Sequence, residues 1–219
     1  MKKFRQRTLA WMAILAPAAA SAQFTESTNY AAGMAIPDNN ASGIAATAAF
    51  NSSQIYQITD LEVRLNIAGG FNGDYYAHLS HESGFSVLLN RVGRDTDNLY
   101  GYPDGGFDVT LDDQASNGDI HTYRSAVNPN GGVLTGVWAP DARTADPGVV
   151  LTASPRSVFL NSFVGLDPNG IWTLFVADLE PGSVGTLQSW GLTITGLPEP
   201  STCALLLLGA GPLLRRRLT

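Results

Sequence analysis

Apolar and polar positions alternate most cleanly in the segment "QITDLEVRLNI". Leu61, Val63, Leu65 and Ile67 share one face, and Glu62, Arg64 and Asn66 share the other. A period of two predicts a half-buried strand in an antiparallel sheet. "YYAHLS" and "FSVLLNRV" predict the next two strands, with "HESG" as the turn between them. Further on, "IWTLFVAD" and "TLQSWGLTIT" predict two strong strands joined by "LEPGSVG". Asn169-Gly170, just before them, is a turn pair, because both residue types tolerate positive φ. Elsewhere the pattern fades. "FTESTNYAAGMA", residues 24–35, has no clear periodicity and reads as a lead-in. Residues 93–148 are rich in Asp, Gly, Asn and Pro and predict long loops, after which "SVFLNSFVGL" resumes order. The body has no helical period. Short strands punctuated by turn residues predict an all-β fold, a sandwich or a jelly roll.

The two ends are patterned differently. Lys2, Lys3, Arg5 and Arg7 precede an apolar run from Leu9 to Ala20, and Ala20-Ser21-Ala22 supplies small residues. This order predicts a helical secretory signal cut by signal peptidase before Gln23, with Ala20 and Ala22 as the cleavage determinants. At the other end, Pro198-Glu199-Pro200 leads into an apolar run from Ala204 to Leu214 and then Arg215, Arg216 and Arg217. Eleven residues of helix rise about 16 Å, whereas a bilayer core is about 30 Å thick. Pro212 weakens the last turn further. The tail is therefore expected to insert transiently and to act as an address, with its arginines held on the cytoplasmic side.

Charge narrows the partners. With leader and tail set aside, the body holds 18 acidic and 6 basic residues, a net charge of −12, and no lysine. Such a surface repels nucleic acid and anionic lipid and favours cations. The single cysteine, Cys203, lies in the tail, so the body forms no disulfide; a structural cation is another way to stiffen an exported acidic fold. "PDGGFDVTLDDQASNGD" gathers acids among turn formers, and Asp112 and Asp113 are the first candidates for calcium, which takes six to eight oxygens at flexible distances. EF-hand spacing is absent, so such a site is assembled from separate loops. His78 and His81 are three apart, which on a strand points them to opposite faces and argues against a zinc pair. No G-x-S-x-G elbow is present, and no catalytic residues are assigned; the chain is expected not to be an enzyme. Trp172 and Trp190 fall in strands and are expected in the core. Trp138, Tyr100, Tyr102 and Tyr123 lie in the irregular middle, where aromatics either stack on sugar rings or pack loops onto the sandwich.

Several segments together resemble a known family. "IPDNNASGI", "ITDLEVRLNI", "NGDYYAHLSHESG", "VLLNRVG", "FDVTLDDQA" and "NGIWTLFVADLEPGSVGTLQSWGLTI" follow one another in the order of the P domain (P/Homo B domain) of proprotein convertases and their bacterial relatives. The turn at Ser80–Gly84 departs from the bacterial pattern, reading Ser-His-Glu-Ser-Gly instead of Ser-Pro-Ser-Gly. The resemblance implies a jelly-roll β-sandwich over residues 36–196. It also adds Asp74 and Asp178, which lie in matching blocks, as further calcium candidates. The tail resembles the PEP-CTERM sorting signal of Gram-negative bacteria, which implies processing by an exosortase-type enzyme and an association with exopolysaccharide. The implied organisation is a signal peptide (1–22), a lead-in (23–35), a P-like domain (36–196) and a sorting signal (197–219). Its leading functional expectation is an exported, non-catalytic binding or structural module of the cell envelope or extracellular matrix. Two alternatives stand beside it. One is an accessory domain acting in trans on a secreted subtilisin-like protease, which predicts a hydrophobic patch left over for docking. The other is a serine endopeptidase, which the missing motifs disfavour.

Overall fold

The structure is a computed structural model and describes residues 22–198. Nine strands form two packed sheets: β1 (Phe24–Ile36), β2 (Asn40–Phe50), β3 (Gln57–Gly69), β4 (Tyr75–His81), β5 (Gly84–Asn90), β6 (Gly106–Leu111), β7 (Leu134–Trp138), β8 (Gly170–Asp178) and β9 (Gly185–Leu197). One sheet has the order β1-β9-β3-β6-β7 and the other β2-β8-β4-β5. The protein is thus an all-β sandwich, as the alternation predicts. Among the described residues the helical elements are three short 3-10 turns, Asn72–Asp74, Ile120–Ser125 and Leu160–Phe163.

Period-two burial explains the core. On β3, Leu61, Val63, Leu65 and Ile67 are buried, while Arg64 is exposed. On β4, Tyr75, Ala77, Leu79 and His81 point inward, and Tyr76, His78 and Ser80 sit on the other, half-buried face. Trp172, Leu174 and Val176 on β8 meet Trp190, Leu192 and Ile194 on β9 across the sandwich, and all six are buried. The β4–β5 turn has Glu82 at φ 48, with His81 paired to Gly84.

Four sequence expectations change. The lead-in is a 13-residue strand, β1, which pairs with β9 along the sheet edge from Phe24↔Gly196 to Ile36↔Gly185. It escaped notice because Glu26 and Thr28 occupy half-buried positions that would usually be apolar; the Ser52 hydroxyl donates to Glu26 Oε1 at 2.6 Å. The sandwich therefore takes in residues 24–35 as well as 36–196. The irregular middle contains β6 and β7, which run parallel. A parallel pair needs a long crossover, and the segment between Leu111 and Leu134 supplies it. "SVFLNSFVGL" is not a strand; its centre is the 3-10 turn Leu160–Phe163. Asn169-Gly170 opens β8, with only Gly170 at positive φ (124).

Successive strands β1, β2, β3 and β4 alternate between the sheets, and so do β8 and β9. The β1–β2, β3–β4 and β8–β9 links consequently gather at one end of the sandwich, called here the link end. Gly43, on the β2 strand entering from that end, has φ 50, and a Cβ there would collide with Val176 O.

Candidate functional site

The link end carries a cluster of charges built from four segments. After β3 the chain turns through Asn72–Asp74, where Asn72 is fully buried and accepts from Gly106 N at 2.7 Å. This turn delivers Asp74 to the start of β4. The register pairs Tyr75 with Asp178, so the last residue of β8 lies beside Asp74. Leu179 N donates to Asp74 O at 2.9 Å and ties the two ends together. Asp38, on the β1–β2 link, accepts from Gly182 N at 3.0 Å. Arg91, just past β5, has φ 53 and donates from Nε to Gly73 O. Its Nη2 lies 3.0 Å from Glu180 Oε1, in ion-pair distance but outside hydrogen-bond geometry.

The acids outnumber their partners. Asp74 is 3 % exposed and Asp178 is fully buried. Asp178 accepts from Glu180 N at 3.2 Å through Oδ1, and the Asn39 N–H also approaches its carboxylate, outside ideal hydrogen-bond geometry for Oδ2. Burial and the neighbouring Asp178 push the Asp74 carboxyl up to about 7, against the opposing pull of Arg91. Burial pushes Asp178 up to about 6, with Asp38 adding to the effect and the Glu180 N–H opposing it. Tyr75 is raised by burial and by the same two carboxylates.

Above these charges opens a cleft of about 440 Å³. Its walls include Phe71, Tyr100, Tyr102 and Pro181, and Asp74 and Glu180 supply its acids. Phe71 is 40 % exposed and Tyr100 is 70 % exposed, so the aromatic rim faces solvent. A buried acidic floor beneath an aromatic rim can receive a cation that also carries apolar surface.

The four calcium candidates are not brought together. Asp74 and Asp178 are neighbours at the link end. Asp112 and Asp113 follow β6 at the opposite end, because β6 runs away from its Gly106↔Ala68 pairing. Asp112 accepts from Gln114 N at 2.8 Å, closing a local turn. Asp113 accepts from Leu160 N and Asn161 N at 3.0 and 2.7 Å and so fixes the 3-10 turn there. Burial raises its carboxyl, and those two N–H groups oppose the rise. Among the described residues no three Asp, Glu, His or Cys side chains are grouped to hold a metal ion.

The remaining expectations sort as follows. His78 and His81 do point to opposite faces of β4. His81 ends the strand instead of lying in the turn; it is buried, stacked on Trp172 with ring centroids 4.1 Å apart, and its two ring nitrogens contact Ile171 O and Asp167 O. Trp172 and Trp190 are core residues. Trp138 and Tyr123 are buried too and pack the middle segment onto the sandwich; Tyr100 alone of the four middle aromatics is strongly exposed. Pro198 is buried after β9, and Ala22 is exposed before β1. Ala20, Glu199, Pro200, Arg215, Arg216 and Arg217 lie outside the described residues, as do the expected signal and tail helices.

Sequence reasoning missed a buried ionic network in the middle segment. His121 Nδ1 lies 2.7 Å from Asp141 Oδ2, and both residues are fully buried. This is not a catalytic pairing in form, because His121 Nε2 faces Arg94 O at 3.1 Å. Both ring nitrogens thus face oxygen atoms of the fold, so neither is left free towards a nucleophile. Arg143 bridges Asp141 (3.1 Å) and Asp119 (2.8 Å). Nearby, Asp104 receives Arg124 through two bonds of 2.7 Å, the Tyr123 hydroxyl at 2.6 Å and Gly131 N at 2.8 Å. Burial works against the Asp104 carboxylate, but these donors outweigh it and hold its carboxyl below the usual range. Arg156 Nε also lies 3.6 Å from Asp119 Oδ2, and the signal in the sequence is the presence of Arg124, Arg143 and Arg156 in a body otherwise poor in cations.

Residues 151–194 match the proprotein convertase P-domain. The matched segment contains β8 and most of β9, and with them Asp178, Glu180 and Pro181. No curated protein matches the chain. Among solved structures, the serine protease of Aeromonas sobria superposes with a TM-score of 0.44 at 14 % identity. The complex of that protease with its chaperone, ORF2, gives the same values. In each case the superposition covers 80 % of this chain and 27 % of that one, so the chain spans about a quarter of the protein it resembles.

Proposed function

We propose that the chain is a non-catalytic accessory β-domain that docks onto a secreted serine protease of the subtilisin type and stabilises it. One observation carries this reading. The segment that matches the P-domain family supplies Glu180 and Pro181, which form one wall of the link-end cleft, and Asp178, buried beside its Asp74. The family likeness and an exposed aromatic surface therefore fall in one place. A docking domain presents an apolar contact to its partner, and Phe71 and Tyr100 are exposed beside this wall.

Export to the cell envelope, through a leader cut at Ala22 and a tail read by an exosortase-type enzyme, is the setting this reading assumes. In that setting the exported chain meets the protease outside the cytoplasm. An exopolysaccharide-binding role for the exposed aromatics is weaker, because Trp138 and Tyr123 are consumed by the core.

The test is the thermal inactivation of a secreted subtilisin-like protease from the same host, with and without the purified full chain. A lengthened half-life together with a co-sedimenting complex is the expected result. An unchanged half-life and no complex would overturn the proposal.

A further inference from the structure

The geometry points to an arginine side chain, from an extended segment of a partner protein, as the occupant of the link-end cleft: its guanidinium on Asp74 and its methylene stem between Phe71, Tyr100 and Tyr102. The partner's identity as a protease rests on the accessory-domain reading; the pairing chemistry does not.

Charge is the first reason. Asp74 lies in the cleft at 3 % exposure, and no described hydrogen bond reaches its carboxylate. Asp178, beside it, is fully buried outside the cleft lining and is served by the Glu180 and Asn39 N–H groups. Leaving buried acceptors unmade is costly, so a donor is wanted here. Arg91 is the neighbouring cation; its Nε is spent on Gly73 O, its Nη2 lies 3.0 Å from Glu180 outside hydrogen-bond geometry, and it acts on Asp74 through charge without bonding it. The rest of the described chain has no spare cation to offer. It lacks lysine, and Arg64, Arg94, Arg124, Arg143 and Arg156 all hold acids or carbonyls of their own. No described side chain donates to the Asp74 carboxylate, which leaves it open to a donor from another molecule, and a body of net charge −12 steers basic segments towards it.

The walls decide which cation. Calcium takes six to eight oxygens. The acidic side chains lining this cleft are Asp74 and Glu180, and Glu180 already faces Arg91. The remaining lining is aromatic and proline, which suits a planar guanidinium stacked on a ring and an apolar stem lying along it. A volume of about 440 Å³ accommodates such a side chain with part of its flanking backbone.

Proton linkage follows. Asp38 from the β1–β2 link, Asp178 from β8 and Glu180 from the β8–β9 link face Asp74 as acids, with Arg91 from the segment after β5 opposing them. Tyr75 from β4 lies behind the pair, and Tyr100 and Tyr102 from the loop before β6 form the rim. With its carboxyl at about 7, Asp74 is largely protonated at pH 6 and largely ionised at pH 8, so the cation binds more tightly at the higher pH.

The test uses the purified full chain and a fluorescent six-residue peptide containing two arginines, followed by anisotropy at pH 8 and low salt. Its citrulline counterpart keeps the shape and removes the charge. The arginine peptide is expected to bind, and the citrulline peptide to bind about tenfold or more weakly. Asp74→Asn and Tyr100→Ala are each expected to weaken binding by about tenfold, as is a drop to pH 6. Tyr100 is 70 % exposed, so its variant keeps the fold. Equal binding of both peptides, binding untouched by both substitutions, or a site filled by calcium with no peptide bound would overturn the proposal. If the peptide fails while the protease is still protected, the cleft assignment falls and the accessory role stands. If the peptide binds but the protease is unaffected, the accessory role falls alone.

Discussion

The sandwich and the segment between β5 and β8 are stabilised by opposite means. In the sandwich, β3, β4, β8 and β9 bury alternate side chains, and the interior contacts are apolar. Between Arg91 and Asn169 the regular elements are two short strands and two 3-10 turns, and the interior is threaded by charge. Asp104, Asp119 and Asp141 hold Arg124 and Arg143, with His121 against Asp141. Here aromatic residues such as Tyr123 and Trp138 work alongside ions; their rings lie 6.2 Å apart, edge to face. The difference teaches that a long irregular segment can be organised by buried ion pairs where a sheet is organised by apolar burial, here with Arg143 Nε alone of that network left without a hydrogen bond. The same pairing makes it brittle, since removing one member strands the others.

Substitutions can break that comparison or sharpen it. The largest expected effect is from Trp172→Ala in the sandwich. It removes a fully buried indole that stacks on His81 and donates to Pro168 O at 2.9 Å, and a loss of about 3–5 kcal/mol is expected in denaturant unfolding. Asp141→Ala in the middle segment follows, at about 3 kcal/mol, because Arg143 and His121 lose their buried partner. Native-state hydrogen exchange should separate the two. The tryptophan variant lowers protection throughout the sandwich, and the aspartate variant lowers it first between residues 91 and 160. A cost below about 1 kcal/mol for Asp141→Ala would mean that the network merely decorates the loops.

The smallest effect has the opposite sign and belongs to the link end. A carboxyl raised from 3.8 to about 7 binds its proton more tightly in the folded than in the unfolded chain. Stability from this group is therefore whole below about pH 4 and is lost as pH climbs through 7. Asp74→Asn removes the dependence. At pH 8 it is expected to stabilise the fold by about 1–2 kcal/mol, seen as a rise of several degrees in the thermal midpoint. At pH 4 the two proteins should melt alike. A variant that melts lower at pH 8 would show that Asp74 is already neutralised within the fold.

What could be read from the sequence follows the same division. Alternation located β3, β4, β5, β8 and β9, because apolar burial writes a period of two into the chain. It missed β1, whose half-buried face includes Glu26 and Thr28, and β2, whose "NASGIAATAAF" is too rich in alanine and glycine to stand out. Asp74 and Asp178 were visible as acids in family-like blocks, but their adjacency depends on the Tyr75↔Asp178 register, which lies in three dimensions. Arg91, Asp38 and Glu180 lie in family-like blocks as well, but nothing in their spacing distinguishes them from the other charges there. The middle network was illegible for a further reason: its partners are between two and 27 residues apart, and ion pairs leave no periodic trace.

The pairing of β1 with β9 has a directional consequence. Phe24 lies opposite Gly196, so the described chain enters and leaves the sandwich side by side, at the corner furthest from the β1–β2 link. Thirteen residues of strand separate that corner from Ile36 and Gly185, about 40 Å along the sheet. Anything fastened to either terminus thus grips the base of an upright body and leaves its crown, with Tyr100 and Asp74, turned outward. A tether at that corner would act on the domain from the end opposite Tyr100 and Asp74.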